Sequence, residues 1–395
     1  MPAEALTIAQ ENEREFQTGR VLTVAGGHFI NDAFTAFLPP LLPILIDRLS
    51  LTLTLAGSLT AISQFPAVLN PFIGYLADRV NLRYFVILAP AVTASLFSAI
   101  GLTPSYLVLA VLLFASGISV AAFHAPAPAM IAQVSGKQVG RGMGFFMAAG
   151  ELGRTVGPLL AVWAVSTWTL EGVYRIMVLG WAASLVLYFR LRDIPAQPGR
   201  QGGLRAALPH FKRIFLPLAG IVFFRNFIVV SLTIYLPTFM DQQGASLWIA
   251  GASLTIFEGA GVFGALVSGS VSDRLGHKRV LIFAILASAG LMLLFLQISG
   301  WLIVPVLLAL GIVALSMQPV LMTVVQENFP HHRAVSNGLF MTLAFLLRTI
   351  GILAIGAMGD WLGLRTAFYI SVLVSLLAIP AIFALPSRPG GSDTR

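Results

Sequence analysis

Six ionisable side chains stand inside long apolar stretches of this 395-residue sequence: Asp32, Glu151, Arg154, Arg225, Glu258 and Arg348. A charge placed in hydrocarbon costs about 2.5–3.5 kcal/mol on insertion scales, so such residues ordinarily mark a pair or a pathway. Arginine stays protonated, and its planar fork matches the oxygens of carboxylates and phosphonates. Arg154, Arg225 and Arg348 together therefore read as an anion-binding set. They cannot release a proton, so any proton must travel on Glu258, Glu151 or Asp32. An arriving anion that draws an arginine away from a carboxylate leaves that carboxylate ready to take a proton.

Spacing sharpens the list and leaves alternatives open. Glu151 and Arg154 lie three residues apart, on one face of a helix, where they can pair. Such a pair can serve packing alone, and so can one between Glu258 and Arg348. His28 and Asp32, four apart, can hydrogen-bond to each other in a purely structural role. His124 lies between Phe123 and a Pro126-x-Pro128 break, as a helix-end cap or a proton carrier. Asn31 and Gln64 either orient a substrate by hydrogen bonds or bridge helices.

The elements that must position these groups are membrane spans. Hydrophobic residues make up 57% of the chain and charged residues 10%, against about 25% charge in soluble globular domains. Spans need about 20 apolar residues each. Twelve runs qualify, near 21–46, 53–77, 84–102, 106–132, 139–166, 174–190, 215–240, 247–271, 280–299, 301–326, 335–359 and 365–385. The N-terminal stretch carries Glu4, Glu11, Glu13 and Glu15, unlike the basic start of a secretory leader. The first run is thus expected to be a retained span.

Charge placement sets the expected orientation. Of the 24 Lys and Arg residues, three (Arg48, Arg175, Arg365) fall on one side of the membrane and three within spans. The remaining eighteen fall in the termini and the loops on the other side. The positive-inside rule makes that side cytoplasmic, with both termini there, in a plasma (inner) membrane. The net charge of +8 is thus membrane anchoring, and no nucleic-acid partner is expected.

A Pro- and Gly-rich connector, residues 191–213, divides an N-terminal six-helix bundle (1–190) from a C-terminal one (214–395). The halves resemble each other. Gly142-Met-Gly-Phe-Phe-Met147 parallels Ser336-Asn-Gly-Leu-Phe-Met341, and Arg154-Thr-Val-Gly157 parallels Arg348-Thr-Ile-Gly351, both at an offset of 194 (348 − 154). Gly74-Tyr-Leu-Ala-Asp78-Arg79 returns as Gly269-Ser-Val-Ser-Asp273-Arg274 at 195 (273 − 78). Parallel repeats place a substrate site near the midplane and imply alternating access by rocking.

Twelve spans in two halves, each with a Gly-x-x-x-Asp-Arg loop after its second span, resemble the major facilitator superfamily. The second copy continues through Gly276, Lys278 and Arg279, whereas the first has Asn81 in place of glycine. His28-Phe-Ile-Asn31-Asp32, Asn70-Pro71, Phe123-His124, Gly153, Gly157-Pro158 and Gln326-Glu327 are similar to the fosmidomycin-resistance type of efflux transporter. That group tends to carry His-Pro-Glu where this chain has His124-Ala125-Pro126. The resemblance implies an all-α membrane fold, with Asp78, Arg79, Asp273 and Arg274 gating the cytoplasmic side by capping neighbouring helices.

Other classes fit poorly. The chain lacks His-Glu-x-x-His, Gly-x-Ser-x-Gly and Gly-x-x-x-x-Gly-Lys-Ser/Thr, so neither an enzyme nor an ATP-driven pump is expected, and no cofactor or metal. Without cysteine there are no disulfides or thiolate sites. The expected function is proton-coupled export, by antiport, of a small amphipathic or anionic compound, performed by a monomer. Uptake of an organic anion with protons is the alternative, and a lipid-handling flippase a third.

Overall fold

The computed structural model describes residues 15–69, 72–73, 83–194, 211–329 and 333–386. Among them every regular element is helical. Ten segments are long and apolar enough to cross a membrane, and Leu53–Leu69 is a shorter apolar helix. Helix Val139–Trp168, at 30 residues, is about 45 Å long at 1.5 Å per residue and supplies the twelfth span. Glu151 and Arg154 at its centre make it the least apolar of the set. Ordered along the chain, spans one to six are Thr18–Leu49, Leu53–Leu69, Arg83–Leu102, Tyr106–Val134, Val139–Trp168 and Glu171–Leu191. Spans seven to twelve are Ile214–Thr233, Leu247–Leu275, His277–Phe295, Gly300–Asn328, Gly338–Leu362 and Leu364–Phe383.

Several spans are broken helices. Span one stops at Thr35 and resumes at Leu38, and span four breaks between His124 and Ala127, where Pro126 has no N–H to continue the ladder. Span seven ends at Thr233, ahead of a separate short helix, Leu236–Gln242. Residues 215–240 are therefore two helices, whose apolar run is continuous because Tyr235, Leu236 and Phe239 are buried in protein.

Two compact units emerge, Met1–Leu41 with Ile62–Arg200, and Leu42–Ala61 with Gln201–Arg395. The first closes over Val21, Val24, Ile87, Phe123, Phe146 and Leu187, drawn from spans one, three, four, five and six. The second closes over Leu218, Ile221, Leu281, Met317, Val320 and Phe340, with Ile382 of span twelve. Other large apolar side chains, such as Leu107, Phe189, Leu216 and Phe283, are exposed. Lipid is the solvent that accepts them without cost.

The backbone repeats at the same interval as the sequence. Span five ends at Thr169 with φ 62° and span eleven at Gly363 with φ 79°, and 363 − 169 is 194. Ser50 (φ 50°) and Gly244 (φ 83°) match likewise. Each repeat turns in the left-handed region, but only the second uses the residue for which that region is free of strain. Helix starts repeat as well: Thr52 Oγ1 accepts from Leu55 N, and Ser246 Oγ accepts from Ile249 N.

Candidate functional site

Span five carries Gly150 and Gly153 on the face it turns to span one. A Cβ at Gly150 would stand 2.4 Å from the His28 ring, and one at Gly153 only 2.3 Å from the Phe29 carbonyl. These two glycines allow the close approach that brings span-one and span-five side chains together. The His28 ring stacks on Phe146 at 3.9 Å between centroids, and its Nδ1 donates to the Phe146 carbonyl at 2.7 Å. From span four, His124 Nδ1 donates to the Val120 carbonyl at 2.9 Å.

Those two carbonyls fix the chemistry of the centre. A carbonyl only accepts, so each Nδ1 carries a hydrogen and each neutral ring presents a bare Nε2 lone pair. Both Nε2 atoms converge on Asp32: His28 Nε2 lies 3.4 Å from Oδ2, His124 Nε2 lies 3.2 Å from Oδ1, and the two nitrogens are 3.2 Å apart. Any hydrogen bond among these three groups therefore needs a proton on one Nε2 or on the carboxylate. One added proton turns the meeting into donated hydrogen bonds. His28 and Asp32 are buried, with 4% and 3% of their surface exposed, while the His124 side chain is 32% exposed.

Arg154 and Glu151 complete the network. Arg154 Nη2 pairs with Glu151 Oε1 on the same helix, and Nη1 reaches Asp32 Oδ2 at 3.5 Å. Asn31 Nδ2 donates to Asp32 Oδ1 at 3.3 Å, while Asn31 Oδ1 is buried without a hydrogen-bond partner. With both histidines neutral, two carboxylates against one guanidinium leave the cluster at −1. One proton makes it neutral, which is the state a membrane interior favours.

The second unit holds a different site. Arg225 of span seven is buried, and its Nη2 donates to Gln318 Oε1 of span ten at 2.6 Å. Its Nε and Nη1 are buried without hydrogen-bond partners. Arg348 of span eleven donates from Nη2 to Thr233 Oγ1 at 2.9 Å and lies near enough to repel the Arg225 charge. Two guanidinium groups, one with idle donors, make a place where an anion would relieve both repulsion and desolvation.

Of the other residues singled out from the sequence, four lie among the described residues. Gln64 is half-buried in span two, its Oε1 without a hydrogen-bond partner. Glu258 is half-buried midway along span eight. Asp273 and Arg274 are exposed in the last turn of helix Leu247–Leu275. Asp78 and Arg79 lie outside the described residues.

A sequence profile matches residues 24–352, under the description Major Facilitator Superfamily. The chain belongs to the Major Facilitator Superfamily. Within the superfamily it is 26% identical over 378 residues to the MFS-type transporter YfnC of Bacillus subtilis (strain 168), covering 91% of each chain. It is 25% identical over 372 residues to the Fosmidomycin resistance protein of Escherichia coli (strain K12), again covering 91% of each. In fold it is similar to the crystal structure of a bacterial homolog to the human lysosomal transporter Spinster. The TM-score is 0.81 at 15% identity, over 93% of this chain and 96% of that one. The protein is thus an integral membrane transporter of this superfamily, a class that acts on small molecules and performs no enzymatic reaction.

Gln318, Thr233 and Asn226 escape a reading based on charge alone. The repeat offset was the signal that could have found them. Subtracting 194 maps Gln318 onto His124, Arg225 onto Asn31 and Asn226 onto Asp32. The second repeat uses the positions of the first with different side chains.

Proposed function

We propose that this transporter exports a small anionic or amphipathic compound in exchange for protons, by alternating access, as a monomer in the plasma (inner) membrane with both termini cytoplasmic. The observation that carries the reading is the convergence of His28 Nε2, His124 Nε2 and the Asp32 carboxylate, three groups that can share one proton. The first repeat takes a proton to reach neutrality, while the arginines of the second take an anion. A carrier that must shed charge before reorienting moves when one or the other is loaded, and exchange follows. Glu151, tied to Arg154, adjusts how strongly Asp32 is held. Glu258 is a second proton carrier by its place in span eight. Asn31 and Gln64, each with an idle buried oxygen, orient the substrate. Asp78, Arg79, Asp273 and Arg274 guard the cytoplasmic face. Export, rather than uptake, is supported by the name of the full-length relative, Fosmidomycin resistance protein.

The test is a thermal-shift screen of the purified protein against organic carboxylates and phosphonates, with fosmidomycin among the compounds, because a ligand stabilises in proportion to its affinity. An anion that raises the melting temperature should lose about 2 kcal/mol of affinity in Arg348→Ala. Stabilisation by neutral or cationic compounds alone would exclude the anion reading.

A further inference from the structure

The start of span two is held by a residue three hundred positions away. Helix Leu53–Gln64 leaves its first backbone N–H groups without partners inside the helix, as every helix does. Thr52 Oγ1 accepts from Leu55 N at 3.2 Å. The two N–H groups before it point at Asp360: Leu53 N donates to Oδ1 at 2.6 Å and Thr54 N to Oδ2 at 2.9 Å. The Thr54 hydroxyl adds a third bond, to Oδ2, at 2.5 Å. A carboxylate at a helix N-terminus also meets the positive end of the helix dipole.

Behind this cap the backbones are in close contact around Tyr235, which is fully buried. Its hydroxyl donates to the Ile352 carbonyl at 2.8 Å and lies 3.4 Å from the Leu53 carbonyl. A Cβ at Gly57 would stand 2.0 Å from that oxygen, and one at Gly356 would meet it at 2.7 Å and Thr54 Cα at 2.9 Å. Leu53, Thr54 and Gly57 belong to the first sequence repeat, whereas Tyr235, Ile352, Gly356 and Asp360 belong to the second. The position that matches Asp360 in the first repeat is Ser166 (360 − 194), so the carboxylate has no counterpart there. Asp360 itself is exposed and open to water, unlike the packed Tyr235 beneath it.

We propose that Asp360 is a positioning residue for transport, a latch that fastens the start of span two to the end of span eleven at the non-cytoplasmic face and must let go for that face to open. This rests on the alternating-access reading and on the orientation set by the positive-inside rule. It is independent of the substrate. The two bonds from Thr54 are exposed, so the solvent can replace them when the cap releases. Tyr235 and the two glycines shape the seat into which the helix start returns.

The absence of cysteine from the chain makes the test clean. In sealed vesicles, Thr54→Cys paired with Asp360→Cys should be bridged by a short thiol-reactive crosslinker. Bridging should stop transport, and reduction of the bridge should restore it, while Thr54→Cys alone ignores the same treatment. In a second arm, without substrate, a membrane-impermeant maleimide added from the non-cytoplasmic side reads how often the latch is open. Thr54→Cys should react about fivefold to tenfold faster when combined with Asp360→Ala, the factor expected for loss of a helix cap. Failure to bridge, full transport by bridged protein, or an unchanged labelling rate would each overturn the latch. The labelling arm needs no transported compound, so an anion panel that fails leaves it unaffected.

Discussion

Position 32 in span one is aspartate and its repeat mate in span seven, position 226, is asparagine; position 124 in span four is histidine and its mate, position 318, is glutamine. The arginine of span five, Arg154, pairs with Glu151 and Asp32, and Arg348 at the matching place in span eleven donates to the Thr233 hydroxyl. The scaffold is held in common, down to the left-handed turns at Thr169 and Gly363, while the matched pairs 32/226 and 124/318 differ in whether the side chain can titrate. Under the proposed function, the duplicated bundle separates two tasks that compete when placed together. A proton site needs acceptors in excess, and an anion site needs donors in excess.

That contrast can be broken deliberately. The largest effect is expected from Asp32→Asn, which gives the first repeat the side chain of the second. Removing a buried charge-assisted bond costs about 1.5–3 kcal/mol, so transport driven by a pH gradient should fall tenfold to a hundredfold while exchange of labelled substrate for unlabelled persists. Undiminished gradient-driven transport would move the proton site elsewhere. Next comes Arg225→Gln, which removes the idle donors of the second repeat. Affinity for the anion should weaken roughly tenfold with no change in the pH profile, a pairing that isothermal calorimetry and transport assays at several pH values can check. His124→Gln, which copies Gln318, should flatten the pH profile and lower the rate by about tenfold at most, leaving anion affinity intact. The smallest effect concerns the turns. Ser50→Gly, copying Gly244, should stabilise the protein by about 0.5–1 kcal/mol, since a residue at φ 50° is strained and glycine is not. A fall in melting temperature would mean that the Ser50 side chain makes contacts worth more than the strain.

Much of this was legible from the residues. Apolar runs and the family resemblance locate the spans, and the Arg154 and Arg348 match ties the intramembrane charges of the two halves together. The triangle was not. His28, Asp32 and His124 come together over 96 positions, and no local spacing joins span one to span four. His124 next to Pro126 looks like a helix end, and it is one; the same ring also reaches Asp32. Breaks at Ala36 and Ile234 were hidden because lipid-facing and protein-facing side chains are equally apolar in a membrane, which erases the periodicity that marks helix limits in water. Asp360 was invisible for the opposite reason. A polar residue at the end of a span is what the membrane surface demands of any span, and nothing in its neighbours names Thr54 as its partner.

The measurement that bears most directly on the proton triangle is lumenal pH in proteoliposomes loaded with a pH-sensitive dye. When a transported anion is added outside, the wild-type lumen should turn alkaline as protons leave in exchange. Asp32→Asn should carry labelled anion across with no pH change. Acidification of the wild-type lumen would establish symport instead. A pH change of full size in Asp32→Asn would show that the proton does not travel through the site formed by His28, Asp32 and His124.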